Sequence, residues 1–241
     1  MLTANILLYL NIHIYKMAKE SNPKCTVQSR HLDSFIQSSS LWMLFLFAYT
    51  EILSIAAGIG CFSLWSVWGI TDAVLLGVFA HQCQNRKYSF RKLAYDILPD
   101  RTGVKKYILS PLGIISLLPA AAAVLLAYNT VPYNWDSMTY HLPRIAHWAQ
   151  NGSVAHYATN IIRQIASPVL GEFVNLHVYV MTGGSDRLFN LLQCFSYLIC
   201  AAMVYHIAKK IKCDIIFCKL ATILYLSMPI AFGEALTTQV D

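Results

Sequence analysis

The chain has 241 residues, of which 56% are hydrophobic and 12% charged, with a formal net charge of +6 and a mean hydropathy of +0.49. A soluble domain is about 45 to 50% apolar and about 25% charged, so the composition excludes an ordinary soluble globule and points to a polytopic membrane protein in a lipid bilayer. The Lys and Arg residues stand in segments between apolar runs, which is the pattern of topology signals, and no nucleic-acid partner is implied.

Residues 1–39 begin with MLTANILLYLNIHIYKMAKE, which lacks a charged region ahead of its apolar stretch and a small-residue cleavage site after it. It does not read as a cleavable signal. It reads as a short interfacial helix on the cytoplasmic side, or as an extension ahead of a start at Met17. Two apolar runs follow, over 40–60 and 62–80, each near the twenty residues a span needs, and they form a hairpin over 40–81. Counting about 1.5 Å per residue from a turn near Cys61 puts Glu51 and Asp72 both roughly 15 to 16 Å deep, half of a core about 30 Å thick. Matched depth predicts that both acids face neighbouring helices and share a neutral hydrogen-bonded pair.

Residues 82–106 are rich in cations (Arg86, Lys87, Arg91, Lys92, Arg101, Lys105, Lys106) and are expected in the cytoplasm by the positive-inside rule. A third span over 107–127 carries Pro111 and Pro119, which bundled neighbours can accommodate. The loop 128–187 is then external. A fourth span over 188–208 runs into Lys209, Lys210 and Lys212, and a fifth over 215–235 has Lys219 snorkelling near its inner end. The expected architecture is an all-α polytopic membrane protein with about five transmembrane helices, a cytoplasmic N-terminus and one external loop of interfacial helices. Ending in polar residues just after an outward span, the chain reads as the N-terminal part of a longer protein. The seven cysteines have no metal-ligand or disulfide spacing and read as small apolar residues of buried helices.

The chemistry is expected in 133–168, YNWDSMTYHLPRIAHWAQNGSVAHYATNIIRQIASP, a polar and aromatic island that cannot lie in hydrocarbon. Met138, Leu142, Ile145, Trp148 and Ala149 mark the apolar face of an interfacial helix that restarts at Pro143. Asp136 reads as the N-cap of that helix or as a general base beside the membrane. His141, His147 and His156 have no pairwise i, i+4 spacing, so a metal site is not favoured. Arg144 and Arg163 present forks that suit phosphate, from a substrate or from lipid headgroups. Asn151-Gly152-Ser153 matches a glycosylation acceptor and equally a turn after a helix.

The order of these features resembles the GT-C superfamily of integral membrane glycosyltransferases, near the protein O-mannosyltransferases and lipid A aminoarabinose transferases. The likeness is carried by the outward span, D-x-x-x-Y (Asp136, Tyr140), the interfacial helix ending in Gly152-Ser153, Ser167-Pro168 opening a second interfacial helix, and Gly184 to Leu188 at the mouth of the next span. It covers 107–241. It implies transfer of a sugar from a polyprenyl-phosphate carrier to a glycan, lipid or protein acceptor on the outer face of a membrane, with Asp136 as general base. Tyr140, His141, Arg144, Arg163 and Asp241 are the candidate substrate contacts. The resemblance implies a multi-pass protein of a bacterial inner membrane and names no required cofactor, a divalent metal being left open. The family's Asp-Glu pair is replaced by Asp136-Ser137. The rival reading is a non-catalytic transporter or flippase-like subunit, with Glu51 and Asp72 as its working pair.

Overall fold

The computed structural model describes residues 1–19, 27–86, 105 and 107–239. The chain divides into two compact units, Met1–Pro99 and Asp100–Asp241. Four described helices are long and apolar enough to cross a membrane: His31–Ile55, Cys61–Asn85, Pro111–Asn129 and Phe189–Lys210. Among the described residues there is no strand, and the protein is an all-α polytopic membrane protein.

The first unit contains α1 (Leu2–Lys19), α2 (Val27–Ile55) and α3 (Cys61–Arg86). Ala4, Leu8, Asn11 and Ile14 recur at three- and four-residue spacing and are buried, and α1 packs against both α2 and α3. Polar bonds reinforce the contact. The Asn11 amide donates to the Leu75 carbonyl at 3.1 Å, the Trp42 indole to the Met1 carbonyl at 3.0 Å, and the Tyr9 hydroxyl lies 2.6 Å from His31 Nδ1. The leading segment is therefore the third member of the hairpin's own unit, where the sequence suggests a separate region over 1–39.

The hairpin turn corrects the matched depth of the two acids. Helix α2 ends at Ile55, with Ala57 at φ 48° and the Gly58 N–H donating to the Leu53 carbonyl at 2.9 Å, so five residues before Cys61 add no regular helical rise. Glu51 thus sits about 6 Å from the end of its helix, whereas Asp72 is about 16 Å along α3. Glu51 is exposed, and Asp72 accepts from the Thr3 hydroxyl at 2.5 Å instead of pairing with Glu51.

In the second unit, α4 (Pro111–Asn129), α8 (Phe189–Lys210) and α9 (Ile215–Leu226) pack mutually. Their core joins Ala123 and Ala127 to Cys194, Tyr197, Ala201, Leu226 and Ala235, and the alanines and Cys194 are small enough to let helices approach closely. Leu118, Leu125 and Leu224 face outward, as they do when the surroundings are hydrocarbon. The expected fifth span is divided: α9 stops at Leu226 and α10 (Pro229–Glu234) begins after Met228. Pro229 has no N–H to continue the ladder, and the Leu226 carbonyl, left without a helical donor, accepts from the Tyr197 hydroxyl at 2.5 Å. The break opens an apolar cleft of about 420 Å³ between Leu118, Pro119 and Ala122 on α4 and Ser227, Pro229 and Phe232.

Lys219 reaches the N-terminus of α4, its ammonium 2.7 Å from the Ser110 hydroxyl and 5.0 Å from the Tyr107 ring centre. Of the cysteines, Cys194 and Cys218 are buried, but Cys61, Cys200 and Cys213 are exposed, so the expectation that all line buried helices holds for only part of the set. Cys200 lies on an outward-facing side of α8, whereas Cys61 opens α3 and Cys213 stands between α8 and α9. Cys25 lies outside the described residues.

Candidate functional site

At the Asn129 end of the bundle the chain forms a polar layer: a π segment (Ser137–His141), α5 (Leu142–Asn151), α6 (Arg163–Ala166) and α7 (Leu170–Met181). The Asn190 amide donates to the Thr130 carbonyl at 3.1 Å, tying the start of α8 to this end.

The π segment has a local cause. Pro143 cannot donate to the Thr139 carbonyl, so the ladder widens, and the Leu142 N–H bonds to the Ser137 carbonyl one residue further back. The freed Thr139 carbonyl accepts from the Gln164 amide at 2.7 Å, while the Gln164 carbonyl oxygen accepts from the Tyr157 hydroxyl at 3.1 Å and the Thr159 hydroxyl at 2.8 Å. The wider turn also changes which face is buried. Met138, expected in the apolar face, is 56% exposed, and Ser137, Tyr140, His141, Arg144, Ile145 and Trp148 are inside. The restart at Pro143 falls where the sequence places it. Helix α5 ends with Gly152 at φ 63° in the left-handed region that glycine tolerates, and α7 follows Ser167-Pro168.

Asp136 is not the cap. Helical structure starts one residue earlier, at Trp135, and the Asn134 side-chain oxygen accepts from the Ser137 N–H at 3.3 Å, while the Asp136 carboxylate makes no capping bond. Its two oxygens go elsewhere. Oδ1 is 3.2 Å from Arg163 Nη1, and Oδ2 accepts from the Gln239 amide at 2.6 Å. Beside it, the Thr238 hydroxyl donates to Ser137 Oγ at 2.6 Å, so the segment after α10 returns onto the π segment. The Arg163 side chain is 63% exposed and that of Asp136 28%, and the Arg163 guanidinium lies 5.7 Å from the buried Tyr140 ring centre. Trp135, Met138 and Ile162, neighbours of the pair along the chain, are all exposed.

Arg144 and His141 occupy a different place. Both are fully buried, with Arg144 Nη1 2.7 Å from Glu172 Oε2 and His141 Nδ1 2.6 Å from Glu172 Oε1. Arg144 also donates to the carbonyls of Ser167 and Arg163 at 3.0 and 2.9 Å and stacks 5.3 Å from Trp148. An arginine so enclosed is not offered to a phosphate. As substrate contacts, Arg144 and His141 are therefore corrected to members of a buried ion-pair cluster, whose acid, Glu172, the sequence reading overlooked. Glu172 is the only acid in LGEFVNLHVYVM, which was its one available signal. Gln239 and Gln164 were overlooked as well.

His177, on the same helix as Glu172, is buried, and burial pushes its imidazole down to about 4. Burial likewise raises the Tyr157 phenol, whose ring stacks on His147 at 4.2 Å. Among the described residues no three His, Cys, Asp or Glu side chains are grouped to hold a metal, and His156 stands exposed and apart. Asp241 lies outside the described residues. The cationic stretch 82–106 is also largely outside them. No family model, curated protein or solved structure matches the chain.

Proposed function

We propose that the polar layer is the reaction site of a membrane glycosyltransferase that moves a sugar from a polyprenyl-phosphate carrier to an acceptor hydroxyl on the outer face of a bacterial inner membrane. The observation that carries this reading is the half-open Asp136–Arg163 pair. It sets a carboxylate able to take a proton beside a guanidinium able to hold a phosphate, flanked by exposed Trp135, Met138 and Ile162 that suit a membrane surface. Asp136 takes the acceptor proton as the acceptor oxygen attacks the anomeric carbon, and Arg163, resting against Tyr140, faces the phosphate on which negative charge grows. One direct displacement inverts the anomeric centre. The apolar cleft at the Pro229 break is a place for the carrier's prenyl chain. The ordered sequence features that resemble GT-C enzymes add support.

The transport reading loses its main support, because Glu51 is exposed and Asp72 is bonded to Thr3 instead. Membranes containing the protein, supplied with polyprenyl-phosphate-linked hexoses and aminopentoses, are expected to transfer label to an endogenous acceptor. Asp136→Asn should lower the rate by about a hundredfold or more. Equal transfer by the variant and its parent refutes the assignment of the base.

A further inference from the structure

Both oxygens of Asp136 are engaged, and this bears on how the carboxylate can act. On Oδ2 the Gln239 amide is close, at 2.6 Å, and Gln239 belongs to a segment anchored by the buried Thr238–Ser137 bond. On Oδ1 the partner is Arg163, at a longer 3.2 Å and with most of its side chain in solvent. One partner is held by the fold and the other is free to leave. While the guanidinium N–H occupies Oδ1, an acceptor O–H cannot bond at that position on the oxygen.

We propose that Arg163 is an exchangeable guard on Asp136: a phosphate ester arriving at the site draws the guanidinium from Oδ1 onto its own oxygens, and Gln239 keeps the released carboxylate in position. This rests on the reading of Asp136 and Arg163 given above and adds an order of events to it. The base is exposed only when the phosphate-linked donor is present. The acceptor O–H then gives its proton to Oδ1, and the acceptor oxygen bonds to the anomeric carbon. The bond from that carbon to the phosphate oxygen breaks, leaving its electron pair on the phosphate, where Arg163 now sits. Without donor, Oδ1 remains covered and a water at the site meets no free base. Phosphate competes well for an exposed arginine because its oxygens match the guanidinium fork bidentately, whereas Asp136 offers Arg163 a single contact.

The exchange makes Asp136 a competitor of the ligand, and that gives a signed test by binding alone. The purified 241-residue protein in dodecyl maltoside is titrated calorimetrically with farnesyl phosphate, with farnesol as the uncharged control and inorganic phosphate as the headgroup alone. Arg163→Gln is expected to weaken farnesyl phosphate by about tenfold, as for loss of a hydrogen bond to a charged group. Asp136→Asn is expected to tighten it roughly two- to fivefold, the size of an exposed ion pair released. In the double variant the tightening must vanish, because no arginine remains to be freed. Tightening that persists there is only the loss of a nearby negative charge and overturns the exchange, as does an Asp136→Asn that leaves affinity unchanged or weaker. If Arg163→Gln has no effect, or farnesol binds equally well, Arg163 does not hold phosphate and the functional reading falls with the exchange. If Arg163→Gln weakens binding and the cycle fails, that reading stands and the guard alone is lost. The same cycle seen with inorganic phosphate supports the exchange and shows the phosphate suffices; the cycle seen only with farnesyl phosphate supports it and assigns a prenyl contribution. Arg163→Lys, which keeps the charge but not the fork, should bind between the parent and Arg163→Gln, and circular dichroism melts establish that each variant is folded.

Discussion

Arg144 and Glu172, 28 residues apart in sequence, meet at 2.7 Å with neither side chain exposed. Taking out one partner of a buried pair leaves an uncompensated charge and costs about 3 to 5 kcal/mol, while replacing both by apolar residues is often nearly neutral. Glu172→Gln or Arg144→Gln should each lower the thermal unfolding midpoint of the detergent-purified protein sharply. Arg144→Met with Glu172→Leu should cost clearly less than the two single losses added together. Additive losses would mean that the two groups are not coupled.

Gln164 closes the gap that Pro143 opens, its amide on the Thr139 carbonyl and its oxygen on two hydroxyls. Gln164→Ala leaves that carbonyl without its side-chain donor in a site only 7% exposed, which costs about 1 to 3 kcal/mol. Hydrogen exchange should speed up over 137–142 and 157–166 and change little in α8. A uniform change over the whole unit would show that Gln164 supports global stability instead of the π segment.

The two ends of the second unit should face opposite sides of the membrane. Cys213 is exposed just after Lys209, Lys210 and Lys212, and Asn151 is exposed at the end of α5. By the positive-inside rule, Cys213 kept as the sole cysteine should resist a membrane-impermeant thiol reagent in intact cells. A cysteine at Asn151 on a cysteine-free background should react. The reverse pattern would invert the topology.

The His177 imidazole, pushed down to about 4 by burial, has an ordinary value near 6.5, so between those values the unfolded state binds more protons than the folded one. The stability contributed by the neutral ring is fully present above about pH 6.5 and is lost as pH falls toward 4, on the order of 3 kcal/mol in all. Amide protection over α7 should decline through that window in the parent and more shallowly in His177→Gln. Equal slopes would remove His177 as the cause.

Much of the architecture is a consequence of sequence alone. Apolar runs of about twenty residues have one compatible environment, and that places α2, α3, α4 and α8 with no tertiary information. Local signals were also sufficient at Pro143, where a missing N–H forces a restart, and at Gly152, where the chain needs a left-handed residue. The same rules mark residues 133–168 as the polar island, because so many hydrogen-bonding groups cannot enter lipid. What lies beyond the reach of sequence is which of those polar groups is spent on the fold. Arg144 and Arg163 are the same residue type in the same island, and only packing assigns Arg144 to the buried Glu172 and leaves Arg163 with the half-exposed Asp136. Helical periodicity misplaced Met138 because a π turn advances by a different number of residues than an α turn. Residue counting misjudged Glu51 because it assumed helical rise through a turn that has none. Gln239 reaches Asp136 from 103 residues away, a pairing made by the break at Pro229 and the return of the chain, since which distant groups come within bonding distance is decided by the path of the backbone through space.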